Sequence, residues 1–97
     1  MPEIRISEDA ERHLKSLSAR DRAVVIAAIE EQLAQQPTVP TRNRKLLRPN
    51  PLAAWELRVQ RFRVLYNVDE GVVTVFVVAI ALKDGNRFII DGEEYPL

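Results

Sequence analysis

Two arginines, Arg58 and Arg63, occupy positions from which they could act on a phosphate group. Each lies in a run where apolar and polar residues alternate, and a short polar link joins the two runs, WELRV and FRVLYNV. Alternation with a period of two predicts strands, and the short link predicts a β-hairpin. In that hairpin Arg58 faces Arg63, which is unfavourable for like charges unless an anion binds them. Guanidinium groups bind phosphate and stabilise charge in a transition state.

Glu56 is the one acidic side chain within these two runs. The period of two predicts that it projects from the same face of the sheet as both arginines, whereas Trp55 and Tyr66 face the core. Arginine stays protonated and cannot accept a proton, whereas Glu56 could accept one. The alternative is that Glu56 forms a structural ion pair with an arginine.

A basic loop precedes the hairpin. Four of the six prolines fall between residues 37 and 51, so we predict no regular structure between the second helix and the hairpin. Long loops in compact domains are often functional. Residues 42–63 carry a net charge of +6, residues 1–41 carry −2 and residues 64–97 carry −4, in a chain that is neutral as a whole. The candidate phosphate-binding residues here are Arg42, Arg44, Lys45, Arg48 and Arg61. The alternative is a solvated basic surface.

The elements before the loop should place the hairpin on a helical layer. A strand is predicted over residues 3–6 and a helix over residues 8–17, with Ser7 as its N-cap. Ser18 is the predicted N-cap of a second helix, whose apolar stripe covers residues 23–36. The short connection predicts antiparallel helices with a joint apolar face. Leu46 and Leu47 are expected to hold the loop on the core.

The elements after the hairpin complete the sheet. The apolar, β-branched run of residues 72–82 predicts a central strand between the hairpin and the N-terminal strand. A second Asp-Gly turn predicts a small hairpin near the C-terminus. The predicted fold class is α+β, ordered β-α-α-β-β-β with a C-terminal β-hairpin, in which a two-helix hairpin packs on one face of a mainly antiparallel sheet.

Composition limits the function classes. A chain of 97 residues with 46% hydrophobic content is expected to form a single domain, 1–97. The sequence has no cysteine and one histidine, His13, which excludes disulfides, thiol nucleophiles and multi-histidine metal sites. His13 is expected at the surface. The N-terminus lacks the pattern of a signal peptide, and no apolar run could span a bilayer, so a soluble cytoplasmic protein without membrane association is expected.

The run WELRVQRFRVLYNVDEGVVTVFVV resembles the RelE/ParE superfamily of toxins from type II toxin-antitoxin pairs. Members commonly have a basic loop, an aromatic-x-Leu-Arg-Val strand, a short turn, an aromatic-Arg-hydrophobic-hydrophobic-Tyr strand and a valine-rich strand. The residues that fit this series in order are Trp55, Leu57, Arg58, Val59, Phe62, Arg63, Val64, Leu65 and Tyr66. The resemblance is specific over residues 55–80, and residues 1–54 agree with it in length and pattern.

The resemblance implies a toxin that inhibits translation by cleaving mRNA on the ribosome, as an mRNA interferase, and that a cognate antitoxin neutralises in a hetero-oligomer. This endoribonuclease would need no metal or other cofactor. The candidate catalytic residues are Arg63, Arg58, Glu56 and Lys83. Lys83 and Arg87 could reach the rim of the RNA site, and the alternative is that both are solvated turn residues.

The sequence departs from the family pattern after its last long strand, because it has no histidine or tyrosine at the usual spacing there. Two alternatives follow. One is a ParE-like protein that binds DNA gyrase, and the other is a non-catalytic member that binds nucleic acid or its partner.

Overall fold

The computed structural model describes residues 2–96 and confirms the predicted α+β fold. Two helices pack on one face of a mainly antiparallel sheet. The elements in chain order are β1 (Glu3–Ile6), α1 (Glu8–Lys15), α2 (Ala19–Leu33), β2 (Arg44–Leu46), β3 (Trp55–Val59), β4 (Phe62–Asp69), β5 (Thr74–Asp84), β6 (Arg87–Ile90) and β7 (Glu93–Pro96). No helix within residues 2–96 has the length and apolar character needed to cross a membrane.

The sheet is built around β5. Its strands follow the order β2-β3-β4-β5-β6-β7 with antiparallel neighbours, and β1 pairs with β5 in parallel. Because β5 is 11 residues long, β1 and β6 share the edge that faces away from β4. β1 takes the first part, Thr74 to Val77, and β6 takes the last part, Leu82 to Asp84. The predicted C-terminal hairpin is therefore confirmed as β6 and β7.

The helix bounds differ from those predicted, because side chains close the link between the helices tightly. The hydroxyls of Ser7 and Ser18 accept hydrogen bonds from the first turns of α1 and α2, as predicted for N-caps. The guanidinium of Arg22, in α2, donates to the carbonyls of Leu14 and Leu17. These bonds tie α2 to the last turn of α1 and to the link that follows it, and α1 ends at Lys15.

The prediction that the proline-rich segment contains no regular structure was wrong, because it contains β2. This strand pairs with β3 in the register Arg44 to Leu57 and Lys45 to Glu56. All the prolines of the segment lie outside residues 41–48, so the intervening stretch keeps its N–H groups for pairing. The loop that follows, residues 47–54, is closed by a 2.7 Å hydrogen bond from Leu47 N to Ala54 O.

The sheet has an apolar cluster on each face. On the helix face, the buried side chains of β3, β4 and β5 pack against those of α1 and α2. Trp55 and Tyr66 are buried there, as predicted, with their rings stacked at a centroid distance of 6.1 Å. On the opposite face a smaller cluster lies beneath the 47–54 loop, formed by Ala53, Leu65, Ala79, Ala81, Phe88 and Ile90. Leu47 packs against this cluster, whereas Leu46 is 59% exposed, contrary to the expectation that both hold the loop.

His13 is buried, which corrects the prediction that it lies at the surface. Its Nδ1 accepts a hydrogen bond from Ile80 N at 3.1 Å, so the proton of the neutral ring sits on Nε2, 3.2 Å from Asp91 Oδ2. His13 therefore accepts a backbone hydrogen bond from the part of β5 that pairs with neither β1 nor β6. It also connects α1 to the β6–β7 turn.

Candidate nucleic-acid interface

The β3–β4 hairpin has the predicted register. Arg58 pairs with Arg63, and Trp55 pairs with Tyr66. The turn consists of Gln60 and Arg61, and Gln60 adopts a left-handed φ of 55°. Arg58 and Arg63 thus project from the face opposite the helices, together with Glu56. Their exposure differs from the prediction: Arg58 is exposed, whereas Arg63 and Glu56 are buried.

Arg63 is held inward by its own turn. Its Nη1 donates to Gln60 O at 2.7 Å and to Phe62 O at 2.8 Å, and the residue is 8% exposed. Burial lowers the pKa of Arg63 from its ordinary value, and the Arg58 charge acts in the same direction against the opposing effect of Glu56. The guanidinium remains protonated. Arg63 is thus fixed in place rather than projecting into solvent as the sequence predicted.

Glu56 lies beside Arg63 and is 4% exposed. Its Oε2 is 3.8 Å from Arg63 Nε, which is an ion pair but too long for a hydrogen bond. Arg63 Nε has no hydrogen-bond partner among residues 2–96, although it is buried. A buried donor without a partner is costly. Arg63 Nε is therefore a donor, and Glu56 Oε2 an acceptor, that do not satisfy each other.

Four of the predicted phosphate-binding residues are exposed near this pair in the fold: Arg42, Lys45, Arg48 and Arg58. Lys45 is the register partner of Glu56, and Arg58 N donates to Asn43 O, next to Arg42. β2 therefore brings the start of the basic segment alongside the hairpin. Of these side chains, Lys45, Arg48 and Arg58 form a basic rim beside the buried pair of Glu56 and Arg63.

The other three predicted RNA-binding residues have protein partners. Arg44 is buried, and its guanidinium donates to Gln32 O and Val39 O, so it supports the link after α2 rather than facing solvent. Arg61 forms an ion pair with Asp21 at 3.2 Å, and Arg87 pairs with Glu94 across the C-terminal hairpin. Arg61 and Arg87 remain exposed, but binding RNA would require them to exchange a carboxylate for a phosphate.

Lys83 reaches the same face from the end of β5. Its ammonium lies 5.9 Å from the centroid of the Phe88 ring, which is its register neighbour on β6. Lys83 and Glu56 both line a groove of about 470 Å³, together with Lys45 and Arg48. Of the four predicted catalytic residues, Glu56 and Lys83 line this groove, and Arg63 lies beside Glu56. Arg58 is exposed and is the register partner of Arg63.

The groove also contains residues that the sequence analysis missed. Asn50, Asn86, Phe88 and Pro96 line it, and three of these come from the β5–β6 turn and the C-terminal hairpin. Pairing of that hairpin with β5 could not be read from the Asp-Gly turn, which predicts a hairpin but not its neighbour. Within residues 2–96 no group of three or more histidines and carboxylates is placed to hold a metal ion.

Residues 4–84 match the family described as the ParE toxin of the type II toxin-antitoxin system parDE. The chain belongs to the RelE/ParE superfamily. No curated protein matches it. Among solved structures, this toxin-family chain is similar to one from the RelBE2 toxin-antitoxin complex of Mycobacterium tuberculosis, with 26% identity and a TM-score of 0.73, over 86% of this chain and 100% of that one.

Two Escherichia coli structures show the same fold. One is the intact RelBE toxin-antitoxin complex, with 21% identity and a TM-score of 0.67, over 87% of this chain and 99% of that one. The other is the isolated RelE toxin, with 20% identity and a TM-score of 0.67, over 87% and 86%. The family match ends at Asp84, so the C-terminal hairpin that completes the groove lies outside it.

Proposed function

We propose that this toxin inhibits translation by cleaving mRNA on the ribosome. The observation that best supports the proposal is the buried pair of Glu56 and Arg63, whose facing atoms lack a mutual hydrogen bond and lie within a basic rim. A ribose 2′-hydroxyl has the donor and acceptor that this pair needs. Phosphates on either side of that ribose would meet the exposed cations of the rim.

Cleavage would proceed by attack of the 2′-hydroxyl on the adjacent phosphorus. Glu56 accepts the hydroxyl proton as the 2′-oxygen forms its bond to phosphorus, and the bond to the 5′-oxygen of the next nucleotide breaks. The products are a 2′,3′-cyclic phosphate and a 5′-hydroxyl. Lys83 is the residue of this face that can donate the proton to the leaving oxygen, because arginine stays protonated throughout.

The two arginines divide the remaining roles. Arg63 is preorganised by the carbonyls of its own turn, so it can stabilise developing negative charge without reordering. Arg58 is exposed, so it can contact the phosphate backbone of an incoming strand. Neither role requires a metal ion or another cofactor.

The proposal includes a cognate antitoxin as partner. The solved relatives from Mycobacterium tuberculosis and Escherichia coli are toxin-antitoxin complexes. An antitoxin segment with acidic side chains would neutralise the basic rim and block the groove, which fits a hetero-oligomer in the cytoplasm.

Ribosome-dependent cleavage is the direct test. A translation reaction with defined mRNA would be incubated with the wild type, with Glu56→Gln and with Arg58→Ala, and cuts would be mapped by primer extension. Loss of a general base is expected to slow cleavage by about 10²- to 10⁴-fold. The matched control is Arg20→Ala, which removes an exposed arginine of α2. Intact mRNA with the folded wild type would contradict the proposal.

A second candidate function is inhibition of DNA gyrase. It is favoured by the description of the matching family as ParE toxin and by the absence of histidine after β5. A supercoiling assay with purified gyrase separates the two candidates. Inhibited supercoiling together with intact mRNA would support the gyrase candidate, and cleaved mRNA with normal supercoiling would support the nuclease.

A further inference from the structure

The first strand leaves one edge of the sheet open. Within residues 2–96, β1 pairs with β5 alone. Glu3 N donates to Val73 O at 3.1 Å, so the backbone groups of Glu3 face the sheet. Successive residues of a strand direct these groups to opposite sides, and Ile4 and Ile6 therefore direct theirs away from β5. Such an edge is a template for pairing with a strand of another chain.

The side chains of this edge carry opposite charges two residues apart. Ile4 and Ile6 pack against the core cluster on the helix face, so Glu3 and Arg5 project from the opposite face. The two side chains pair with each other at 2.9 Å and remain exposed, Arg5 by 64% and Glu3 by 58%. An exposed ion pair of this kind contributes little to stability, so both charges are available to a partner.

A second copy of the chain matches these charges in one register. When two β1 strands pair antiparallel around a twofold axis at Ile4, Glu3 of each copy lies opposite Arg5 of the other. Opposite charges directly across a ladder stabilise it, and like charges destabilise it. An axis at Glu3 or at Arg5 is disfavoured, because that residue would then face its own copy. An axis at Ile6 would place Ile4 opposite Glu8, which already belongs to α1.

Exposed apolar side chains lie next to the same edge. Val72 is 69% exposed, Val73 is 50% exposed and Phe76 is 37% exposed. The carbonyl of Val73 accepts from Glu3 N, and Phe76 is the register partner of Arg5. Exposed apolar surface that is gathered in one place is typical of interaction sites. A second copy docked on β1 would remove part of this surface from water, which favours association.

We propose that two copies of this chain form a symmetric dimer by antiparallel pairing of their β1 strands, with the twofold axis at Ile4. Ile4 N of each copy donates to Ile4 O of the other, and Ile6 N of each donates to Pro2 O of the other. The two sheets become one continuous sheet. Because the strands are short, the dimer is weak and depends on protein concentration. The proposal is independent of the nuclease proposal, since neither Glu56 nor Arg63 lies on this edge.

Reversal of the two charges tests the register. Glu3→Arg alone, or Arg5→Glu alone, puts like charges opposite each other at both ends of the pair. Each variant by itself should dimerise at least about tenfold more weakly than the wild type. An equimolar mixture of the two variants restores opposite charges at both ends, so it should form a heterodimer about as strong as the wild-type dimer. Sedimentation equilibrium from about 10 µM to about 1 mM protein measures these constants.

Backbone amides report directly on the pairing. In the wild type, hydrogen exchange at Ile4 N and Ile6 N should slow as the protein concentration rises, because these groups gain acceptors in the dimer. Exchange at Arg5 N should not change with concentration, because this group faces β5 in the monomer as well. If the wild type dimerises while Ile4 N and Ile6 N still exchange fast, another surface holds the dimer and the proposal is overturned.

The matched control is the pair Glu30→Arg and Arg20→Glu, which reverses two exposed charges of α2. Each of these variants should dimerise as the wild type does, alone or mixed. A wild type that stays monomeric over the whole range, or a mixture of Glu3→Arg with Arg5→Glu that forms no heterodimer, overturns the proposal. If the wild type stays monomeric and only an added antitoxin protects Ile4 N and Ile6 N, the edge takes a strand of a different chain, which also overturns it.

Discussion

Arg63 combines a structural and a functional position, and the two can be separated by measurement. Its Nη1 bonds to two carbonyls of the hairpin turn, and its charge faces Glu56 in a buried site. Arg58, its register partner, has neither constraint. The two guanidinium groups are therefore expected to contribute differently to the stability of the fold, although their strands are adjacent.

We expect Arg63→Ala to destabilise the fold by about 2–3 kcal/mol, because it leaves turn carbonyls and a buried carboxylate without their partner. Arg58→Ala should change the free energy of unfolding by less than about 0.5 kcal/mol, as exposed substitutions usually do. Urea unfolding followed by circular dichroism measures both values. Equal effects of the two substitutions would show that Arg63 is not anchored by its turn.

Tyr66 gives a second prediction at the scale of the residue. It is fully buried, its hydroxyl donates to Pro37 O at 2.6 Å, and burial raises its pKa to about 12. We expect Tyr66→Phe to cost about 1–2 kcal/mol at neutral pH, because the Pro37 carbonyl loses its partner. Tyr95→Phe removes an exposed hydroxyl and serves as the matched control, with an expected change below about 0.5 kcal/mol.

The raised pKa of Tyr66 also determines in which direction the stability of the fold changes with pH. Its folded pKa lies above the unfolded value of about 10, so its contribution is complete below that value and is lost as the pH rises through about 12. The stability of the wild type should fall over this window by up to about 1.4 kcal/mol per pH unit more than that of Tyr66→Phe. Parallel curves for the two proteins would contradict the assignment.

At the scale of the element, α1 is connected to the β6–β7 turn by one carboxylate. Asp91 accepts from Arg12 at 2.6 Å and lies 3.2 Å from His13 Nε2. The hydrogen bond from Arg12 lowers the pKa of Asp91, with a smaller contribution from His13. The C-terminal hairpin, which forms one wall of the groove, is thus held against a helix on the other side of the sheet.

We expect Asp91→Asn to loosen this hairpin locally. Hydrogen exchange of the β6 and β7 amides should become faster than in the wild type, whereas exchange in β3 and β4 should stay the same. The folded pKa of Asp91 is depressed, so its contribution exists above the unfolded value of about 3.9 and disappears as the pH falls through the lower folded value. The exchange rates of the wild type and of Asp91→Asn should therefore become equal in acid. Asp84→Asn, an exposed change at the end of β5, is the control.

The sequence predicted the helices and strands far better than the solvent exposure of individual side chains. Period-two alternation identified the β3–β4 hairpin and its register, since each residue on a strand must face one side of the sheet. It could not show that Arg63 folds back onto Gln60 and Phe62, because this depends on the turn geometry. Likewise, nothing in the spacing of His13 indicated Ile80, which is 67 residues away. The functional roles of Arg58, Arg63, Glu56 and Lys83 remain predictions.

At the scale of the whole molecule, the chain is neutral but its charge is separated. The rim residues Lys45, Arg48 and Arg58 are exposed cations beside the buried pair of Glu56 and Arg63. For single-stranded RNA each phosphate contact contributes about −0.7 to the slope of log affinity against log salt concentration. Binding of RNA should thus depend strongly on salt even though the net charge is zero.

Removing Lys45 and Arg48 together should make that slope shallower by about 1.4 units, because two phosphate contacts are lost. The double variant Arg5→Ala and Arg20→Ala removes the same number of exposed charges outside the rim and should leave the slope unchanged. Measuring the RNA affinity of each variant at salt concentrations from about 50 to about 200 mM gives both slopes. An equal reduction of the salt slope in the two double variants would show that RNA binding depends on the total charge of the protein rather than on the basic rim.

The parallel pairing of β1 with β5 joins Glu3 to Thr74, so β1 has no strand partner until β5 has been synthesised about seventy residues later. Cooperative folding must then wait for β5, and a chain that ends before Thr74 should show no cooperative unfolding transition.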